Sequence, residues 1–120
     1  MRIRRAVPNL LADDLDAARE FFAGFLGFDV AMDDPGFMMF ASPSNRTAQI
    51  TVADATTPGL DRGVREANVS VEVEDVDALH AEAVRRGLEI VYPLTEEPWG
   101  IRRFFVRAPG GTVINVAQHV

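Results

Sequence analysis

The side chains best suited to acid–base or metal chemistry are few in this sequence. It has two histidines, His80 and His119, and no cysteine, which excludes disulfides, thiolate metal sites and cysteine nucleophiles. Acidic residues cluster at Glu72/Glu74/Asp75/Asp77 and at Glu96/Glu97. We interpret His80 as a helix histidine, His119 as part of a fraying terminus, and the two acidic clusters as a helix cap with a strand exterior and a solvated loop. The alternatives are a ligand-facing Glu96/Glu97 loop and a metal-ligand role for His119 across a dimer.

A second group of side chains suits the binding of a small molecule. Trp99 is the only tryptophan and lies between Pro98 and Gly100, just before the segment Ile101–Arg107. That segment is rich in aromatic and β-branched residues, which is typical of a strand. Strand alternation places Arg103 and Phe105 on one face, and Arg102 and Phe104 on the other.

These side chains are positioned by strands, helices and turns that follow the same order twice. Pro109-Gly110-Gly111 predicts a tight turn, because proline presets φ and glycine accepts positive φ. Leu15–Leu26 has apolar residues at helical spacing and ends at Gly27. The predicted elements are strand Ile3–Leu11, helix Leu15–Leu26, strands Phe28–Met32, Phe37–Ala41 and Ala48–Ala53, strand Asn68–Val73, helix Val76–Arg86, and strands Leu88–Tyr92, Ile101–Arg107 and Thr112–Ala117.

An internal repeat supports this organisation. Asp14 corresponds to Asp75, since A-D-D-L-D-A resembles V-E-D-V-D-A, and the same spacing pairs Val7 with Asn68. Aligning Pro43 with Pro109 pairs Gln49 with Asn115, Phe37 with Arg103 and Met39 with Phe105. The sequence therefore predicts one domain of two βαβββ modules, residues 1–53 and 67–120, joined by a polar linker at 54–66. Each module is marginal in size alone, so we expect the two to share a sheet or an interface.

Composition narrows the class of partner. The chain has 120 residues, 48% of them hydrophobic, which suits one compact domain. Its 12 basic and 18 acidic residues give 12 − 18 = −6, a charge that repels nucleic acid and anionic membranes. No apolar run is long enough to span a bilayer, and no apolar segment follows the basic N-terminus as in a signal peptide. We expect a cytoplasmic protein with no nucleic-acid or membrane partner.

Three motifs resemble the vicinal oxygen chelate superfamily, which holds glyoxalase I, extradiol dioxygenases and bleomycin-resistance proteins. They are A-D-D-L-D-A-A-R-E-F-F-A-G-F-L-G-F (Ala12–Phe28), V-E-V-E-D-V-D-A-L (Val71–Leu79) and P-W-G-I-R-R-F-F-V-R-A-P-G-G-T-V-I-N (Pro98–Asn115). The last segment is most similar to the bleomycin-resistance-like branch. The resemblance implies an α+β fold in which two βαβββ modules form an incomplete barrel around a cleft, and it implies a homodimer.

The resemblance also implies where a catalytic metal would bind. Enzymes of the superfamily hold a divalent metal with His, Gln or Glu side chains on the first and last strands of each module. Those positions fall here on Val7, Gln49, Asn68 and Asn115. Valine cannot ligate a metal, and neutral amides are weak ligands of transition metals. We therefore expect no metal cofactor.

The cleft that the resemblance implies would be lined by aromatic and polar side chains, as small-molecule sites usually are. The predicted ligand-binding residues are Phe37, Met39, Gln49, Asn68, Trp99, Arg103, Phe105 and Asn115. The favoured function is metal-free binding of a small aromatic or cationic molecule, such as a glycopeptide-type antibiotic. The alternatives are a metal-dependent lyase or extradiol-type dioxygenase, and an interaction module whose cleft is filled by its own side chains. Whether the protein is an enzyme is left open.

Overall fold

A computed structural model describes residues 2–120, which form two compact units. The first unit is Val7–Glu66, and the second combines the start of the chain up to Ala6 with Ala67–Val120. The first predicted strand therefore passes from one unit into the other. The segment 54–66, predicted as a linker between modules, belongs to the first unit.

The first unit has the order βαβββ. Its elements are β1 (Ile3–Leu11, shared with the second unit), α1 (Leu15–Arg19), a π-helical segment (Glu20–Phe25), β2 (Asp29–Asp34), β3 (Phe37–Ala41), β4 (Gln49–Ala53) and α2 (Arg62–Glu66). The strand order is β2-β3-β4-β1, and β1 pairs with β4 in parallel while the other pairs are antiparallel. The short helix α2 lies within the segment predicted as an irregular linker.

The helix of the first unit begins at the predicted residue, Leu15. Asp14 is its N-cap, and the Asp14 carboxylate accepts a hydrogen bond from the Ala17 N–H at 2.9 Å. The predicted helix Leu15–Leu26 is α-helical only to Arg19, and then widens to a π-helix in which the Leu26 N–H donates to the Phe21 carbonyl. Ala18 and Phe22 pack with Met38, Phe40 and Val52 to form the core.

The second unit repeats the order. It contains β5 (Val69–Val73), α3 (Val76–Arg85), β6 (Ile90–Glu96), β7 (Ile101–Arg107) and β8 (Val113–His119), with the strand order β1-β5-β8-β7-β6. Asp75 caps α3 by accepting from the Ala78 N–H at 3.0 Å, as Asp14 caps α1. Phe104 and Val116 pack with Val73 and Val76 in the core beneath α3.

The two βαβββ units confirm the predicted fold class, and the differences lie at the ends of strands. Strand β6 continues to Glu96, into a segment that the sequence predicted as a loop. Strand β8 continues to His119, and the Val120 N–H donates to the Gly100 carbonyl at 2.9 Å. The prediction of a fraying C-terminus at His119 was therefore wrong, because strand pairing with β7 holds it.

Candidate functional site

The two faces of β7 differ as strand alternation predicts. Phe104 belongs to the core beneath α3, and Arg102 forms a salt bridge with Asp77 of that helix at 2.8 Å. This hydrogen bond to Arg102 lowers the pKa of Asp77 from its usual value. Arg103 and Phe105 lie on the opposite face, which we call the ligand face of the second unit because these two residues are among those predicted to bind a ligand.

The centre of the ligand face is a buried ion pair. The Arg103 guanidinium lies 2.6 Å from Glu97 Oε2, and the two side chains are only 5% and 9% exposed. The Tyr92 hydroxyl donates a hydrogen bond to the same Glu97 oxygen at 3.0 Å. Glu97 was predicted to lie in a solvated loop, and that prediction was wrong. A buried arginine requires a counter-charge, and the extended β6 brings one beside it.

Aromatic rings surround the Arg103 guanidinium. Its carbon lies 5.4 Å from the ring centroids of Tyr92 and Trp99 and 5.2 Å from that of Phe105. These distances are within the range of cation–π attraction. Phe105 is fully buried, whereas Trp99 is 58% exposed. The indole of Trp99 therefore rests against a fixed cation and presents most of its surface to solvent.

The predicted polar anchors of the second unit have different surroundings. Asn115 lies beside Phe105 in the strand register, and its Nδ2 donates to Ser70 Oγ at 3.1 Å. Asn115 Oδ1 is buried without a hydrogen-bond partner. Asn68 instead has a structural role, because its Oδ1 accepts from the Val113 N–H at 3.0 Å and joins β5 to β8.

The predicted residues of the first unit are described separately. Phe37 and Met39 lie on the face of β3 opposite the core residues Met38 and Phe40. Gln49 begins β4, and its amide donates to the Arg46 carbonyl at 2.9 Å. On the same face as Met39, the Thr51 hydroxyl donates to Asn9 Oδ1 at 2.8 Å.

The strand register changes one correspondence between the modules. The turn between Ala41 and Gln49 is two residues longer than the turn between Arg107 and Val113. Thr51 pairs with Asn9 in the first unit as Asn115 pairs with Ser70 in the second. The structural counterpart of Asn115 is therefore Thr51 and not Gln49, because the sequence alignment ignored the difference in turn length.

These side chains do not fit a divalent metal. Val7 is aliphatic and buried, Asn68 Oδ1 is engaged with the backbone, and Thr51 or Gln49 supplies only a neutral oxygen. Neutral oxygens alone do little to offset the dehydration of a transition-metal ion. Within residues 2–120, no group of three or more His, Asp or Glu side chains is arranged to hold a metal ion.

A second polar cluster lies near the end of the ligand face. Glu72 Oε1 lies 2.7 Å from Arg5 Nε, and Glu72 Oε2 lies 2.8 Å from His119 Nδ1. Burial raises the pKa of Glu72, but the hydrogen bond to His119 and the charge of Arg5 outweigh it and leave the pKa lowered. This cluster was not predicted, since no local sequence pattern connects residues so far apart in the chain. The other histidine, His80, packs edge-on against Phe104 at 5.0 Å.

Comparison with known proteins gives the class. The family model described as the Glyoxalase/Bleomycin resistance protein/Dioxygenase superfamily matches residues 3–116, so the chain belongs to this superfamily. No curated protein sequence matches it. Among residues 2–120, no helix has the length and apolar character needed to cross a membrane.

Solved structures share the fold at low sequence identity. A superfamily member from Vibrio splendidus 12B01 is 20% identical with a TM-score of 0.73, covering 98% of this chain and 99% of that one. Methylmalonyl-CoA epimerase from Mycobacterium tuberculosis is 20% identical with a TM-score of 0.68, covering 98% and 87%. The Mn(II)-bound glyoxalase from Novosphingobium aromaticivorans is 20% identical with a TM-score of 0.67, covering 97% and 38%. At these identities the likeness concerns the fold alone.

Proposed function

We propose that this protein is a metal-independent binding protein for a small aromatic molecule. The observation that carries the proposal is the exposed indole of Trp99, held against the Arg103 guanidinium. A flat ring stacks well on an indole whose position is already fixed, because less conformational freedom is lost on binding. A glycopeptide-type antibiotic is one candidate ligand, as in the bleomycin-resistance branch of the superfamily.

The absence of a metal is part of the proposal, and it rests on the donor set. The superfamily's metal positions carry one aliphatic and three neutral polar side chains, and Asn68 already accepts a backbone hydrogen bond. Binding energy would then come from stacking and from hydrogen bonds. A homodimer and a cytoplasmic location are further parts of the proposal that derive from the resemblance and the composition.

The first experiment measures metal content. The protein is purified without a histidine tag, and divalent metals are quantified by elemental mass spectrometry. We expect far less than one metal per chain and no rise in Tm on adding Zn²⁺, Ni²⁺, Mn²⁺ or Fe²⁺, since a ligand that binds only the folded state must stabilise it. About one tightly held metal per chain would favour the alternative of a metal-dependent lyase or dioxygenase.

The second experiment tests binding. Trp99 is the sole tryptophan, so its fluorescence reports directly on this site during a screen of aromatic ligands, with and without EDTA. For a hit, calorimetry should show that Trp99→Ala weakens binding at least about tenfold, because a tryptophan anchor typically contributes about 2 kcal/mol or more. Phe25→Ala is the matched control, since Phe25 is an exposed aromatic of the first unit that should leave binding unchanged.

The outcomes separate the alternatives. EDTA-insensitive, saturable binding without turnover supports the proposal. If Trp99→Ala leaves binding intact, the ligand binds at a different site. If no compound in a broad screen changes the fluorescence of Trp99 or the Tm, the interaction-module alternative is favoured.

A further inference from the structure

We propose that His119 is the hydrogen-bond acceptor for a ligand stacked on Trp99, and that the ligand is therefore an aromatic molecule carrying a hydroxyl or amine donor. This inference rests on the proposed function and names the class of ligand for the same site. It assigns a role to His119, for which the sequence suggested only the alternative of a metal ligand across a dimer. The role follows from how Glu72 and Arg5 hold the imidazole.

A fixed carboxylate orients the His119 imidazole. Glu72 lies between Arg5 and His119, and its side chain is only 17% exposed. Strand β8 is paired with β7 as far as His119, which lies opposite Ile101. The next residue is also fixed, because the Val120 N–H donates to the Gly100 carbonyl. The ring is thus anchored through Nδ1 while its side chain remains 57% exposed. Because Nδ1 faces Glu72, Nε2 is the ring nitrogen that is left for a ligand.

The hydrogen-bonding role of Nε2 follows from that of Nδ1. A carboxylate accepts hydrogen bonds, so a neutral His119 places its proton on Nδ1 and leaves the lone pair on Nε2. The other oxygen of Glu72 lies 2.7 Å from Arg5 Nε, and a glutamate paired in this way is ionised at neutral pH. Neutral His119 therefore offers an acceptor to solvent or to a ligand.

Other charged groups near the imidazole are accounted for. A pocket of about 250 Å³ beside His119 is bordered by Arg4 of β1, by Glu72 of β5 and by Glu74, which follows β5. The Glu74 carboxylate accepts from the Arg2 N–H, and Gln118 caps α3 by accepting from the Val76 N–H. Ile101 of β7, the strand neighbour of His119, is uncharged. No acidic side chain other than Glu72 is hydrogen-bonded to the ring among the described residues.

Trp99 and His119 lie at the same end of the ligand face. His119 is paired with Ile101, and Trp99 precedes Ile101 by two residues, just before Gly100, which pairs with Val120. Glu72 and Arg103 are both neighbours of Ala117, one on each side, so the His119–Glu72 pair and the Arg103–Trp99 contact share one face. A ring stacked on Trp99 would reach this acceptor across the small side chain of Ala117, which lies between Glu72 and Arg103.

The test compares two probes that differ in one proton. 4-Methylphenol carries the donor, and 4-methylanisole has the same ring with that donor replaced by a methyl ether. Each is titrated at neutral pH while NMR follows the Trp99 indole N–H and the imidazole signals of His119, with His80 as the internal reference. We expect both probes to shift Trp99, the phenol to bind about three- to tenfold more tightly, and only the phenol to shift His119.

Variants separate a hydrogen bond from general polarity. His119→Ala should abolish the preference for the phenol, while His80→Gln should retain it because His80 packs against Phe104 beneath α3. Glu72→Gln should reduce the preference and leave anisole binding unchanged, since an amide can donate to Nδ1 and so move the imidazole proton to Nε2.

Failure of the inference and failure of the proposed function give different results. If both probes shift Trp99 equally and the His119 signals do not move, the stacking site stands and the role of His119 is overturned. If the phenol preference survives His119→Ala, the donor is bound elsewhere and the inference is likewise overturned. If neither probe shifts Trp99 at millimolar concentration, both the stacking site and the inference are wrong.

Discussion

The two units have the same order of elements, but the side chains on corresponding faces differ in polarity. The face of the second unit opposite α3 carries a buried ion pair and a carboxylate–imidazole pair, while the corresponding positions of the first unit are largely apolar. By strand register, the corresponding pairs are Val7/Asn68, Leu11/Glu72, Phe37/Arg103, Met39/Phe105 and Thr51/Asn115. The βαβββ framework is thus specified by the core and the helix caps, and the opposite face is free to carry different chemistry.

The largest effect on stability is expected when one partner of the buried ion pair is removed. Glu97→Ala should lower the free energy of unfolding by about 3–5 kcal/mol, because it leaves the Arg103 charge buried and uncompensated. Chemical denaturation measures the change.

The double variant Arg103→Met/Glu97→Met makes the second unit resemble the apolar face of the first. It should regain most of that loss, since well-packed apolar residues often replace a buried ion pair without net cost. A double variant as unstable as Glu97→Ala would show that the pair does more than neutralise charge.

The next largest effect on stability is expected in the turns between corresponding strands of the two units. Gly36 joins β2 to β3 and Gly100 joins β6 to β7, with φ of 76° and 85°. Gly100→Ala should cost about 1–2 kcal/mol for the left-handed backbone alone. Gly36→Ala should cost about 1–3 kcal/mol more, because its Cβ would lie 2.4 Å from Thr57 Oγ1 and 2.5 Å from Thr57 Cβ.

Thermal unfolding of the two glycine variants measures this difference. Thr57→Gly combined with Gly36→Ala should recover the excess over Gly100→Ala. Equal losses for the two single variants would show that Thr57 moves aside freely.

Each unit also has a hydroxyl–amide pair at the same register position. Thr51 donates to Asn9 in the first unit, and Asn115 donates to Ser70 in the second, so the two residue types exchange strands. Thr51→Val should cost about 1 kcal/mol, and Ser70→Ala about 2 kcal/mol. Asn9 is half-buried, whereas Asn115 is buried and already has an unpaired Oδ1. Chemical denaturation should therefore show a smaller loss of stability for Thr51→Val than for Ser70→Ala. The reverse order would contradict this explanation by burial.

The smallest effect is expected for the ion pairs that Glu82 forms with two arginines on the exposed surface of α3. Hydrogen bonds from Arg85 and Arg86 lower the pKa of Glu82 from 4.5 to about 2. A lowered folded-state pKa stabilises the protein above pH 4.5, and this stabilisation is lost as the pH falls towards 2. The Tm difference between the native chain and Glu82→Gln should therefore be small at pH 7 and shrink between pH 4.5 and 2. A difference that grows on acidification would contradict the assigned direction.

The fold was largely predictable because its signals are local. Asp14 and Asp75 mark both helix starts, and β3 and β7 follow the alternation of their side chains. The widening of the first helix at Glu20 was not predictable, since the same apolar spacing suits an α-helix.

The ligand face was only partly predictable. Alternation placed Arg103 and Phe105 together, and Trp99 was singled out correctly as their neighbour. Glu97 was interpreted as a solvated loop residue because β6 was predicted to end too early. Tyr92 lay in a predicted strand but was not singled out, and the Arg5–Glu72–His119 cluster depends on pairing between distant strands. The correspondence of Gln49 with Asn115 failed because one turn is two residues longer than the other.

The division of β1 between the units has a consequence for dissecting the gene. Its first residues contribute the Arg5–Glu72 bond, and the Glu74 N–H donates to the Arg2 carbonyl. A fragment expressed from Ala67 onwards would lack this strand and present β5 as an unpaired edge, which is prone to aggregation. A circular permutant that opens the chain within the 54–66 segment would keep β1 continuous, and is therefore the cleaner way to ask whether the two halves of the sequence fold in either order.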